Sequence, residues 1–308
     1  MLRRLPPLCL FAVLASASAA GCIRAPDVQS DEPNAAAKAP TSVDEVLARH
    51  VEALGGEELL RSLTRRTVEA RVVFLPQPGC PEDDPTCISK EMVGQFVLYA
   101  TMKGELFRRM VVGERIDERG FDGKVGWNLV NGSSLSIEGP DQSLASREDA
   151  LLHWYLDTDA RELELELVEA RTKDQDGGDR TLDGIRWQSK SGKLPDRTMW
   201  FDRETGLLRE EVEELGGGAQ LVIIYDEYKE VDGALIPYEI RQIEMAGEAR
   251  SQIDIHVQNA HHREIREGLF AIPELAPPEP EADPYLAMEV DAKAAADAAP
   301  KDKDAQMG

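Results

Sequence analysis

The stretch Glu162-Leu-Glu-Leu-Glu-Leu167 alternates acidic and apolar residues without a break. A period of two puts Leu163, Leu165 and Leu167 on one side of an extended chain and Glu162, Glu164 and Glu166 on the other, the signature of a half-buried strand. The same period runs through TVEARVVF at 67–74, where Val68, Ala70, Val72 and Phe74 alternate with Glu69 and Arg71. Strands with one dry side and one wet side belong to antiparallel sheets.

Working outward, turn signals recur between β-rich runs: Lys103-Gly104, Asp122-Gly123, Asn131-Gly132, Asp183-Gly184, Glu204-Thr-Gly206, Gly216-Gly-Gly218, Asp232-Gly233 and Ala246-Gly247. Hairpins favour Gly and Asn because their turns need positive φ. The spacing predicts about ten antiparallel strands. Ahead of them, Ser42-x-x-Glu45 matches a capping box. Val43, Val46, Leu47, Val51 and Leu54 then share one helix face before Gly55-Gly56 stops it. His50 lies on that face and reads as a packing residue, and a short helical turn is expected over Glu57–Leu63. A further helix is expected over Leu144–Leu156, inserted in the meander on Leu144, Leu151, Leu152 and Tyr155. The fold class is mainly β (α+β): a long curved antiparallel sheet with two or three helices available to cover one side.

The N-terminus, MLRRLPPLCLFAVLASASAAGC, carries Arg3 and Arg4, a short apolar run from Leu8 to Leu14 and small residues up to Gly21. That is the layout of a secretory signal peptide, and the run falls short of the ~20 residues of a spanning helix. Ala19-Ala20-Gly21-Cys22 resembles the bacterial lipobox, with Ala19 where Leu is more usual. Residues 1–21 are therefore expected to be a lipoprotein leader and Cys22 the site of acylation. Ile23 at the next position, where Asp would resemble an inner-membrane retention signal, favours the outer membrane, with the chain facing the periplasm. The competing reading is cleavage at a nearby small-residue site with no lipid.

Residues 22–40 are rich in Ala, Pro and charge with no apolar period and read as a disordered tether. Residues 274–308 read as a disordered acidic Pro/Ala-rich tail, and 41–273 as one folded domain. The chain has 308 residues, 35 Lys and Arg against 58 Asp and Glu, and a net charge of -23. Such a field disfavours nucleic acid and anionic headgroups as partners of the body. With Cys9 in the leader and Cys22 assigned to lipid, Cys80 and Cys87 remain, in a proline-rich acidic loop. In an oxidising envelope the simplest reading is a disulfide, and two cysteines without a nearby His fall short of a zinc site.

The ordered set VEALGGEELLRSL (51–63), TVEARVVF (67–74), GFDGKVGWNLV (120–130), MWFDRETGLLREE (199–211), YDEYKEVDGALIPYEIR (225–241) and EGLFAIP (267–273) resembles the bacterial LolA/LolB-like outer-membrane lipoprotein-sorting superfamily over roughly 43–273. The resemblance implies an unclosed β-barrel wrapped around helices, an apolar cavity for an acyl chain of a lipid or lipoprotein, and no catalysis. The best-known carrier of that group is soluble, whereas this chain carries an anchoring signal, an acidic tail and the Cys80–Cys87 loop.

No nucleophile elbow, P-loop or dinucleotide fingerprint occurs, and Gly216-Gly-Gly218 joins two strands, so it is a turn. His261-His262 with Glu264 invites a metal reading, but neighbours on a strand point to opposite sides, so no metal and no cofactor is expected. Phe96, Phe121, Trp127, Leu129, Trp154, Trp187 and Trp200 are the candidate ligand-contacting residues. The bland alternative is that they fill the core, which would suit a non-enzymatic interaction or sensor module with a protein partner.

Overall fold

The computed structural model describes residues 38–274 apart from 82–86, 151, 159–162, 174–176, 248 and 267. The leader, Cys22, most of the tether and the tail beyond Glu274 lie outside the described residues. All elements below belong to the unit that ends at Ile272.

Two helices come first, α1 (Val43–Ala53) and α2 (Glu57–Ser62). Ser42 caps α1 as expected, its Oγ accepting from the Glu45 amide at 3.2 Å. The Glu45 carboxylate does not reach back to the cap residue; it accepts from the Thr41 amide at 2.6 Å, one residue further out. The backbone then turns through Gly55 and Gly56, with φ of 122° and 90°, so the chain can re-enter a helix at once.

Thirteen strands follow in one sheet. The first arm is a meander, β1 (Arg65–Phe74), β2 (Met92–Thr101), β3 (Leu106–Val112), β4 (Arg115–Phe121), β5 (Gly126–Val130) and β6 (Ser134–Ile137). The chain then crosses through α3 (Pro140–Ala150) and a 3₁₀ turn at Trp154–Leu156 to the far edge. It returns through β7 (Leu163–Lys173), β8 (Asp179–Ser189), β9 (Arg197–Asp202), β10 (Leu208–Gly216), β11 (Ala219–Val231), β12 (Ala234–Ala246) and β13 (Ala249–His261). The spatial order is β6-β5-β4-β3-β2-β1-β13-β12-β11-β10-β9-β8-β7, so β6 and β7 are edges and the sheet is not closed. Every neighbouring pair is a hairpin except β1 with β13, which join antiparallel from Thr67–His261 to Phe74–Ile253.

Alternation carries the main core. Val68, Ala70, Val72 and Phe74 of β1 share a side with Phe96 and Leu98 of β2, with Ile253, Ile255 and Val257 of β13, and with Ile223 and Tyr225 of β11. Val46, Leu47, Leu54 and Leu60 of the helices pack on the same side, which we call the helix-facing side. Two smaller clusters lie on the other side: Phe107, Trp127 and Leu129, packed by Leu269 and Phe270, and Val222, Ile224 and Ile243. The Cys80–Cys87 disulfide closes the β1–β2 connection, with sulfurs 2.02 Å apart.

Three sequence expectations change. Thirteen strands replace about ten, because Gly113, with φ of 58°, turns β3 into β4 and Gly192 turns β8 into β9 without an Asn-Gly or Asp-Gly pair. Asp183-Gly184 is no turn; both residues sit inside β8. The glycine is there because a Cβ on it would meet the Trp200 ring at 2.6 Å and Val168 at 2.4 Å. The single helix over Leu144–Leu156 is instead α3 plus a separate 3₁₀ turn, divided where His153 adopts φ of 54°, a left-handed conformation that no helix continues through.

Gly120 shows the same close approach on β4, where a Cβ would lie 2.3 Å from the Trp127 ring. Gly120→Ala should therefore lower stability by about 1–3 kcal/mol through overpacking, and by much less in a Trp127→Leu background where the ring is gone. Urea unfolding of the four proteins measures this; an equal cost in both backgrounds would refute the contact.

Candidate functional site

The helix-facing side of the open sheet is the candidate site, and the elements that cover it are held in two different ways. Helix α1 is docked by apolar burial and by His50, whose Nδ1 donates to the Gly206 carbonyl at 3.0 Å while its ring meets those of Tyr155 and Phe201 edge-on at 4.9 and 5.0 Å. Burial pushes the His50 imidazole down to about 4, with the Gly206 carbonyl opposing.

Helix α3 is held mainly by polar bonds. Its buried positions include Ser143, Ser146, Glu148 and, at the C-terminal end in the main core, Ala150, while Leu144 and Ala145 are only partly buried. The Gly126 amide donates to Ser143 Oγ at 3.1 Å. Ser146 Oγ donates to Glu138 at 2.6 Å and accepts from Arg119, which also pairs with Glu138 at 2.9 Å.

The candidate aromatics divide by side. Phe96, Phe121 and Trp187 are buried in the main core on the helix-facing side, and Trp154 packs against it from the 3₁₀ turn. Trp127 and Leu129 are on the opposite side, where the indole donates to the Phe270 carbonyl at 3.1 Å. Trp200 is there too: it neighbours Gly184 and Glu210 in register, and the Arg171 guanidinium lies 4.3 Å from its ring centroid. The structure thus brings Phe96, Phe121, Trp154 and Trp187 together and separates Trp127, Leu129 and Trp200 from them.

The helix-facing side also holds polar residues that the search for apolar alternation passed over. Glu211 and Glu213 of β10 are buried beside Arg197, at 3.4 and 2.9 Å, with the Arg197 guanidinium 4.5 Å from the Trp187 ring and the Tyr225 hydroxyl donating to Glu211 at 3.3 Å. Burial, then the Glu211 charge, drives the Tyr225 phenol well above its ordinary range. A second polar group gathers at the other end: Arg66, His153, Tyr155 and His262. The signal for Arg66 was present in the alternation, since it stands one period before Val68 on β1. For His153 and His262 no local pattern gives the placement, which comes from tertiary contacts.

His261 pairs with Thr67 in register, so it and His262 fall on opposite sides. Among the described residues no three His, Cys, Asp or Glu side chains converge as metal ligands. A small groove of about 300 Å³ opens between Glu105, Asp122 and the 268–272 segment. Its two carboxylates make it a poor seat for an anionic guest.

A solved structure shares this architecture. A LolA superfamily protein from Nitrosomonas europaea is similar with a TM-score of 0.52 at 11% identity, covering 75% of this chain and 98% of its own. The fold is LolA-like. A lipoprotein-sorting domain from Vibrio parahaemolyticus gives 0.49 at 7% identity over 74% and 95% of the two chains. A DUF1329 family protein from Desulfovibrio piger gives 0.46 at 13% identity over 71% and 90%. No family model matches the sequence, and no curated protein matches it.

His50 makes a measurable prediction. Its folded value lies below its unfolded value of 6.5, so the unfolded chain binds the proton more readily, and the stability present above 6.5 is lost as pH falls toward 4. Between pH 7 and pH 5 this ring should cost about 1–2 kcal/mol of unfolding free energy. His50→Gln should remove that part of the slope in urea titrations at the two pH values; an unchanged slope would exclude it.

Proposed function

We propose that this chain is a lipid-anchored envelope protein that binds the acyl chain of a lipid or lipoprotein on the helix-facing side of its LolA-like sheet, without catalysis. The observation that carries the reading is an open sheet whose larger apolar side is covered by short helices and not by a second sheet. Apolar burial at ~25 cal/mol per Å² is the force that would hold an acyl chain there. A cover helix held by serine hydroxyls and the exposed Lys193–Asp141 ion pair can exchange those bonds for water, so α3 is the element suited to move aside. Phe96, Phe121, Trp154 and Trp187 are the residues proposed to touch the guest.

We further propose that Cys22 carries the anchor and that residues 22–40 hold the domain off an outer membrane, inside the periplasm. No described helix is long and apolar enough to cross a membrane. A fixed anchor suits a protein that accepts or inserts a lipid at its own membrane better than one that shuttles it.

Two measurements test this. Single-tryptophan variants exposed to a brominated acyl chain should show quenching at Trp154 and Trp187 and none at Trp127 and Trp200; no uptake, or quenching confined to the latter pair, would refute the site. Metabolic labelling with palmitate should mark the native chain, and Cys22→Ser should abolish the label and release the protein from the membrane fraction. Persistent label in that variant would exclude Cys22.

A further inference from the structure

Arg66 keeps only 3% of its surface exposed, yet no hydrogen bond or ion pair holds its guanidinium among the described residues, and its Nε is without a partner. A buried cation in that position is expensive unless something neutralises it. The register says what lies near it. Thr67 pairs with His261 at the end of the β1–β13 ladder, so Arg66 and His262 are the next residue of each chain beyond the last pair, and the Arg66 charge reaches the His262 ring. His262 has its side chain 6% exposed, with Nδ1 bonded to Asp232 at 3.2 Å and Nε2 without a partner.

The third member is His153, 4% exposed, whose Nδ1 meets the Tyr155 hydroxyl at 2.8 Å, while the Leu63 carbonyl also acts on the ring and Nε2 completes no hydrogen bond of full geometry. These groups are electrically in touch: the charge of Arg66 acts on both imidazoles and on the Tyr155 phenol, and His262 acts on His153. Two buried nitrogens without partners, Arg66 Nε and His262 Nε2, a third, His153 Nε2, without a full hydrogen bond, and one buried positive charge therefore share one neighbourhood.

We infer that Arg66, His153 and His262 form a binding site for an oxyanion, the carboxylate or phosphate of an acidic amphiphile whose chain lies along the helix-facing side. The placement of the chain rests on the acyl-binding reading above; the anion site itself does not. The guanidinium supplies charge and donors. With the Tyr155 hydroxyl donating into Nδ1, the neutral His153 ring carries Nε2–H, a second donor that turns from the Leu63 carbonyl to the guest. With Nδ1–H of His262 donating to Asp232, its Nε2 lone pair accepts the O–H of a monoprotonated phosphate or of a carboxylic acid.

Burial lowers Arg66 to about 9, so it still carries its charge at neutral pH. Burial first and the Arg66 charge second lower His153 to about 3 and His262 to about 4, the latter against the pull of Asp232, so the rings bring no further positive charge to the empty site. Beyond the cluster the same side continues into Val68, Leu98 and Phe96, an apolar path for a tail.

Displacement of a fluorescent acyl probe from the full mature chain tests this with three ligands: oleate, oleyl alcohol and dioleoyl phosphatidate. Oleate or phosphatidate should bind at least about tenfold more tightly than the uncharged alcohol. Whichever acid is tighter identifies a fatty carboxylate or a lipid phosphate as the source of the anion. Arg66→Met should erase the preference, leave the alcohol within about twofold, and leave the ligand-free protein as heat-stable as before or more so, because a buried charge has been replaced by an apolar chain of similar length.

Equal affinities for acid and alcohol in the unaltered protein overturn the anion site and leave the acyl reading standing. Binding of none of the three overturns the acyl reading alone. In that case the site is judged by inorganic phosphate, which should shift the His153 and His262 ring resonances saturably; rings that do not respond overturn it. If Arg66→Met fails to fold, His153→Gln must lower the preference for the acid, and an unchanged preference counts against the proposal.

Discussion

The pairing of β1 with β13 is the constraint on which the rest of the structure depends. Each other ladder joins strands adjacent in the chain, and even the long β1–β2 connection, 75–91, spans far fewer residues than lie between β1 and β13. The β1–β13 ladder joins Thr67 to His261 and must close most of the domain, which makes it the contact with the highest entropic cost to form. Without it there are two independent meanders, each with its apolar side exposed. With it the two arms become one surface broad enough for α1, α2 and the 3₁₀ turn to pack against, and the Arg66 charge is brought within reach of the His262 ring. Fold and proposed anion site thus rest on the same ladder.

Much of this was legible in the sequence, for reasons that are local. Ser42 before an apolar period, alternation at Glu162–Leu167 and Asn131-Gly132 between two strands are statements about neighbouring residues, and chain geometry answers them directly. What was not legible is what depends on register between distant strands. Trp127 and Trp187 look alike in sequence, each an indole on a predicted strand, yet Trp127 lies over Gly120 on one side and Trp187 beneath Arg197 on the other. Alternation fixes which residues share a side within one strand, but only the ladders say which side of one strand matches which side of the next. The Asp183-Gly184 reading failed for a related reason: a glycine can be required by a ring from a neighbouring strand as well as by a turn.

The edges left by an open sheet are guarded by simple means. β6 is four residues long, too short to template a partner, and β7 presents Glu164, Glu166 and Glu169 along its length. A net charge of -23 adds repulsion between copies. A closed barrel would need none of this, and would also have no movable cover. The open architecture accepts exposed edges in return for access to its interior.

That access changes how the buried polar groups should be weighed. Arg197 among Glu211 and Glu213 is a network whose charges face each other, so it can persist in a dry interior, and the Trp187 ring beneath the guanidinium fixes its plane. Arg66 is different: among the described residues no carboxylate is bonded to it, and Asp232 engages the His262 ring. A folded protein with a margin of only ~5–15 kcal/mol cannot leave such a charge uncompensated without weakening itself noticeably. The cost is smallest if the charge is met by a guest for most of the protein's working life. In that case the ligand-free form is the strained one, and binding contributes to stability as well as to recognition. The same cluster lies beside the 3₁₀ turn that carries His153, so a guest that engages His153 also fixes one of the elements covering the sheet. Recognition of the head group and closure over the chain would then be one event.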